Sequence, residues 1–160
     1  MTVAHNTSTV TVNAAFLQEI KEVNEELWDM LGEARWLCGE PRRIRNHGRR
    51  AVDLLAGLRD QLAMQFAVEE AYGYFDDPVH VSPALSASAN RVRGEHQMLF
   101  ASIRDLADEV DDLYRRGQLS EDAARVARLF RAYCDHFQRH ENDENRLILD
   151  VWDTVMRSRG

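Results

Sequence analysis

Cysteine is scarce. The 160-residue chain has two, Cys38 and Cys134, which form no CxxC motif and cannot build a disulfide framework. That pattern fits a reducing compartment, and the expected location is the cytoplasm. Proline (3) and glycine (8) are also few, and the glycines fall mostly between periodic segments. Long helices with short connections are therefore allowed. No stretch approaches the roughly 20 apolar residues of a membrane span, so a soluble chain with no membrane partner is expected. No glycine-rich phosphate loop and no β-hairpin signal occur. Excess positive charge is lacking too: the formal net charge is −7, with arginine and aspartate interspersed along the chain, which argues against a nucleic-acid partner. Residues 1–12 have no basic region followed by an apolar run, so they do not read as a secretory signal. They are expected to be a flexible tail ahead of one domain, 13–160.

What is present is helical periodicity. With 44% hydrophobic and 29% charged residues, the chain is globular and long enough for a good core. Four segments carry apolar residues at alternating steps of three and four. The first, about Asn13 to Cys38, has the seam Leu17, Ile20, Asn24, Leu27, Leu31, Ala34 and Cys38, and Gly39 and Pro41 stop it. The second begins between Arg42 and Arg49 and ends near Phe75. Its seam is Ala51, Leu55, Leu58, Leu62, Gln65, Glu69 and Tyr72. The third opens at Ser82-Pro83, a serine cap before proline, or later near Ser88. Its seam is Val92, His96, Leu99, Ile103, Leu106, Val110 and Leu113, and Arg115-Arg116-Gly117 close it. The fourth starts at Ser120 and runs through Val126, Phe130, Tyr133, Phe137, His140, Glu144, Leu147 and Val151. The expected fold is all-α, an up-down-up-down four-helix bundle.

Each seam is broken by polar residues: Asn24, then Gln65 with Glu69, then His96, then His140 with Glu144. Unpaired, such groups are costly to bury, and a metal ion is one reason to bury them. His140 and Glu144 are four apart, hence one turn apart on one helix face. His96 lies 21 residues before Gly117 and His140 lies 20 after Ser120, which sets them level in an antiparallel pair. Glu69 comes level with His96 if the third helix starts late. An internal echo is present. Asn24 followed by Gln65-xxx-Glu69 mirrors His96 followed by His140-xxx-Glu144, at separations of 41 and 44 residues.

This arrangement resembles the hemerythrin-like, or HHE cation-binding, family over roughly Asn13 to Met156. The resemblance implies a four-helix bundle that holds non-haem iron, usually two ions. It implies a lone histidine on the first and third helices and His-xxx-Glu on the second and fourth. His96, His140, Glu144 and Glu69 match ligand positions of that pattern. Asn24 and Gln65 stand where two histidines would be. His136 is an extra candidate one turn from His140, and a register using His136, His140 and Glu141 is an alternative. Imidazole suits iron, manganese or zinc, whereas an amide offers only a carbonyl oxygen. The set suffices for one metal ion and is thin for two. Asn24 and Gln65 could instead hydrogen-bond a ligand or a bound oxygen species. The implied roles are binding or sensing of dioxygen, peroxide, nitric oxide or iron itself. A metal-free helical interaction module of the same fold is the alternative. A ferritin-like diiron oxidase is less favoured, because no Glu-xx-His pair falls on a seam. His5 and His80 lack partners at ligand spacing, and His47, beside Arg42-Arg43-Ile44-Arg45 and Arg49-Arg50, reads as part of a solvated basic face. Cys134 reads as a packed thiol, and Trp28, Trp36 and Trp152 as core or interface anchors.

Overall fold

A computed structural model describes residues 10–76 and 82–158 of the protein. His5 and His80 lie outside them. The chain runs β1 (Val10–Val12), α1 (Ala14–Val23), α2 (Glu25–Cys38), α3 (Pro41–Asn46), α4 (Gly48–Val68), a π-helical turn (Glu69–Gly73), β2 (Tyr74–Asp76), α5 (Pro83–Arg115) and α6 (Leu119–Ser158). Among the described residues the regular structure is all helical but for two three-residue strands. These pair antiparallel, with Val10 opposite Asp76 and Val12 opposite Tyr74. Residues 10–12, expected as the end of a loose tail, are thus tied down, and Asn13 N–H donates to the Gly73 carbonyl at 2.9 Å.

The first periodic run is two helices rather than one. Asn24 leaves the helical region at φ −87°, ψ 65°, and its side chain accepts a hydrogen bond from Leu27 N–H at 3.2 Å. Glu25 and Glu26 then begin α2 at the positive end of its dipole. The break changes which face of α1 is inside. Ala14, Leu17 and Lys21 are buried, while Ile20, expected on the seam, is half-buried.

The second run also departs from a plain helix. Pro41 does not merely stop the first helix; it opens α3 at its first turn, and α4 follows after His47. At the far end the chain widens into the π-helical turn, whose closing bond runs from Tyr74 N–H to the Glu69 carbonyl. The extra residue rotates everything beyond it. Tyr72, expected in the core, is 59% exposed, and Tyr74 is buried instead. Gly73 packs so closely that a Cβ there would lie 2.7 Å from Leu17 Cδ1.

The third and fourth runs match their expected seams closely. Helix α5 takes the earlier of its two candidate starts, with Ser82 Oγ accepting from Leu85 N–H at 3.2 Å and Pro83 in the first turn. Every expected α5 seam residue from Val92 to Leu113 is buried. The turn into α6 is a Schellman closure. Gly117 adopts φ 69°, its N–H donates to the Tyr114 carbonyl, and Gln118 N–H donates to that of Leu113. In α6 the seam from Val126 to Leu147 is buried, and Val151 is half-buried.

Helix α5 packs on α4 and α6, and α2 packs on α4 and α6. A large apolar cluster, which includes Leu27, Leu62, Phe66, Leu99 and Phe137, fills one part of the interior. A smaller one, with Leu17, Tyr74, Val92 and Leu147, fills the other. Among the described residues, Lys21, Gln65, Glu69, His96, His140, Glu141 and Glu144 are the buried polar ones, and on α5 and α6 they fall between members of the two clusters.

Two glycine substitutions test this account of the helices. Gly117→Ala forces a Cβ into the left-handed region and is expected to destabilise by about 1 kcal/mol. Gly94→Ala, mid-helix in α5 with open space around its Cα, is expected to stabilise by about 0.5–1 kcal/mol. Urea unfolding of each variant measures both signs.

Candidate metal centre

Four residues from three helical segments meet at one buried spot. Glu69 comes from the π-helical turn, His96 from α5, and His140 and Glu144 from α6. Each offers one ligand atom, and the four atoms all lie within 4.8 Å of one another. His96 Nε2 is 3.2 Å from Glu69 Oε2 and 3.4 Å from Glu144 Oε2. His140 Nε2 is 3.6 Å from the same Glu144 oxygen, and the two imidazoles lie edge to face with centroids 4.9 Å apart. Around an ion with bonds of about 2.1 Å, neighbouring ligand atoms stand about 3.0 Å apart in an octahedron and about 3.4 Å in a tetrahedron. The separations of 3.2, 3.4 and 3.6 Å are of that size.

The approaches are too oblique for hydrogen bonds. Both ring nitrogens of His96, both of His140, and Glu69 Oε2 have no hydrogen-bond partner among the described residues. Leaving buried polar atoms unpaired costs about 1–3 kcal/mol each, and here Glu69 Oε2 and the Nε2 atoms of His96 and His140 converge. The residues fit a metal ion, because a single cation would satisfy all of the inward-facing atoms. The outward nitrogens have carboxylates near them: Glu70 Oε1 lies 3.4 Å from His96 Nδ1, and Glu95 Oε1 lies 3.5 Å from His140 Nδ1. A carboxylate on Nδ1 favours the tautomer that leaves Nε2 with a free lone pair.

The surrounding groups aim the carboxylates. Tyr74 O–H donates to Glu144 Oε2 at 2.8 Å. Lys21 Nζ donates to the other oxygen, Oε1, at 2.7 Å and forms an ion pair with Glu141 Oε2 at 2.8 Å. Gln65 Nε2 donates to Glu69 Oε1 at 3.0 Å, and Asn24 Nδ2 donates to Gln65 Oε1 at 2.8 Å. The phenyl ring of Phe66 stacks on His96 with centroids 4.2 Å apart, which keeps water from that face.

These contacts set the charges. Burial works against a charged His96, but the close carboxylates of Glu144 and Glu69 outweigh it and lift its pKa to about 9. His140 goes the other way. Burial lowers it to about 4, with the cations of His96 and Lys21 adding to the effect and Glu144 opposing it. For Glu144, burial favours the neutral acid, yet His96, Lys21 and His140 together hold it well below the usual carboxylate range. Burial raises Glu69, and it pushes Glu141 up to about 7 against the pull of Lys21.

Of the residues singled out in the sequence, the structure brings Glu69, His96, His140 and Glu144 together. Glu69 is level with His96 although α5 starts early. The connection between them contains the π-helical turn and β2, so counting residues along a simple hairpin does not apply. Asn24 and Gln65 contribute no atom to the four-residue group. They form an amide chain that ends on Glu69, because Asn24 also caps α2. His136 is half-buried and outside the group; its charge acts on Glu95. Glu141 faces Lys21. Lys21, Tyr74, Phe66, Glu70 and Glu95 were not anticipated. Asn24-Glu25-Glu26, an N-cap followed by acidic residues, is the signal that could have revealed the helix break and hence the inward turn of Lys21. Nothing in the local sequence marks the π-helical turn that brings in Tyr74.

In metal-free protein, the His96 contribution to stability is fully present below its unfolded pKa of about 6.5 and is lost as pH rises through about 9. Melting in the presence of a chelator is therefore expected to weaken between pH 6.5 and 9.5. His96→Gln should flatten that dependence.

No family model, no curated protein and no solved structure matches the chain. The reading of the centre therefore rests on its own geometry.

Proposed function

We propose that this protein is a hemerythrin-like bundle that binds non-haem iron between its helices. The observation that carries the reading is the buried group of Glu69, His96, His140 and Glu144, in which Glu69 Oε2 and the ring nitrogens of both histidines have no hydrogen-bond partner. Two imidazoles and two carboxylates are a donor set that suits ferrous iron, and also manganese or zinc. The interior between the two apolar clusters supports the resemblance drawn from the seams. The helices then pair as α1 with α2, α4, α5 and α6 in an up-down-up-down order.

When bound, a ferrous ion with four protein atoms supplies open positions for a small ligand such as dioxygen, peroxide or nitric oxide. The chain's own residues do the rest. Gln65 and Tyr74 hold one oxygen each of Glu69 and Glu144 in fixed orientations. Glu70 and Glu95 bias the proton to the outer nitrogens of the two histidines. Phe66 covers His96 and excludes water from its face. Among the described residues no helix is long and apolar enough to cross a membrane.

The metal-free module remains a second reading, favoured by one observation: Lys21 already neutralises part of the acidic cluster. The two differ in a simple experiment. Protein purified from iron-supplied cells is expected to hold about one equivalent of iron, and the metal should raise the melting temperature. His140→Ala and Glu144→Gln should each reduce the bound metal to less than about a tenth of an equivalent. Iron content below that level in the unaltered protein, with no thermal shift from iron, manganese or zinc, would favour the module instead.

A further inference from the structure

Lys21, the single lysine of the sequence, is buried in the interior, 8% exposed, and beyond orienting Glu144 its charge has no role in the metal reading. Its position is built. The backbone of α1 ends two residues later, so the Lys21 carbonyl lacks a helical partner. Trp28 supplies one, its indole N–H donating at 2.9 Å, and its ring is braced against Phe137 at 6.2 Å. The side chain then reaches α6, where its ammonium lies between Glu141 and Glu144 at 2.8 and 2.7 Å.

The two oxygens of Glu144 have divided surroundings. Oε2 faces His96, His140 and Tyr74; Oε1 faces only the ammonium among these groups. A carboxylate that joins two cationic positions is the arrangement of a two-ion site. Here one of the two positions is filled by a side chain. The amides of Asn24 and Gln65 are turned to each other and to Glu69, so they do not compete for it. Charge agrees. With Glu69, Glu141 and Glu144 ionised, Lys21 leaves two negative charges, which one divalent ion balances.

We propose that the Lys21 ammonium is a built-in cation in the place of a second metal ion, and that it limits the centre to one ion. The proposal rests on the reading of this centre as metal-binding. It makes Lys21 a residue that determines metal stoichiometry while touching no metal.

Manganese(II) is a suitable probe, counted by equilibrium dialysis and followed by electron paramagnetic resonance. The unaltered protein and Lys21→Arg, which keeps the cation, are expected to bind one equivalent with the spectrum of an isolated ion. Lys21→Glu replaces the cation by a ligand and is expected to bind two, with the signature of exchange-coupled ions. Lys21→Met covers the case in which that variant does not fold without metal. It removes the charge at similar size, and manganese should raise its melting temperature more than it raises that of the unaltered protein. One equivalent in Lys21→Glu, or a thermal shift in Lys21→Met no larger than in the unaltered protein, would overturn the proposal and leave the metal reading intact. Two equivalents in the unaltered protein would also overturn it. No binding by the unaltered protein would remove the metal reading itself.

Discussion

The carboxylate of Glu144 is fully buried, and an isolated charge in such a place costs several kcal/mol. Three groups from three parts of the chain share that charge. Lys21 from α1 takes one oxygen, and Tyr74 from β2 and His96 from α5 attend the other. The chain around it makes these contacts possible. Without the break at Asn24, Lys21 would not face inward. Without the π-helical turn, Tyr74 would not replace Tyr72 in the interior. Both irregularities thus have a physical purpose at the same carboxylate.

Regular elements supply the rigidity that irregular ones lack. Helices α5 and α6 run without interruption past the polar layer, with apolar side chains on both sides of it. The Schellman turn at Gly117 sets their register, so His96 and His140 meet with centroids 4.9 Å apart. The remaining member of the group, Glu69, is looser in origin. Glu69 depends on a widened turn, and its direction on the amide chain from Asn24 through Gln65. The result is a centre with a firm half, made of the two histidines and Glu144, and a half organised by hydrogen bonds and an ammonium. That asymmetry matches the imperfect sequence echo, in which the histidine positions of the first half hold Asn24 and Gln65.

The charge pattern follows from the same division. The carboxylates beside His96 outweigh its burial and pull it toward the protonated form, while burial, helped by the charges of His96 and Lys21 against that of Glu144, pushes His140 toward the neutral form. Two histidines at one depth in one core therefore differ widely in their proton affinity. Residue type does not distinguish them; only the neighbours do.

The seams of α5 and α6 were legible in the sequence because a helix buries a fixed face, and residues three and four apart must share it. The same rule exposed His96, His140 and Glu144 as polar breaks, and a three-residue turn made their depths countable. Glu69 was found by its place on the seam, although its level was not. What the sequence could not determine is where the period itself changes. A one-residue widening or a cap in mid-run changes the phase of the residues before it relative to those after it. That is why Ile20 and Tyr72 were misplaced and why Lys21 and Tyr74 were missed. Periodicity alone determined which face of each long helix goes inside. Tertiary packing decided which side chains share an oxygen there, because it brings together residues as far apart as Lys21 and Glu144, whose meeting depends on breaks that no local spacing encodes.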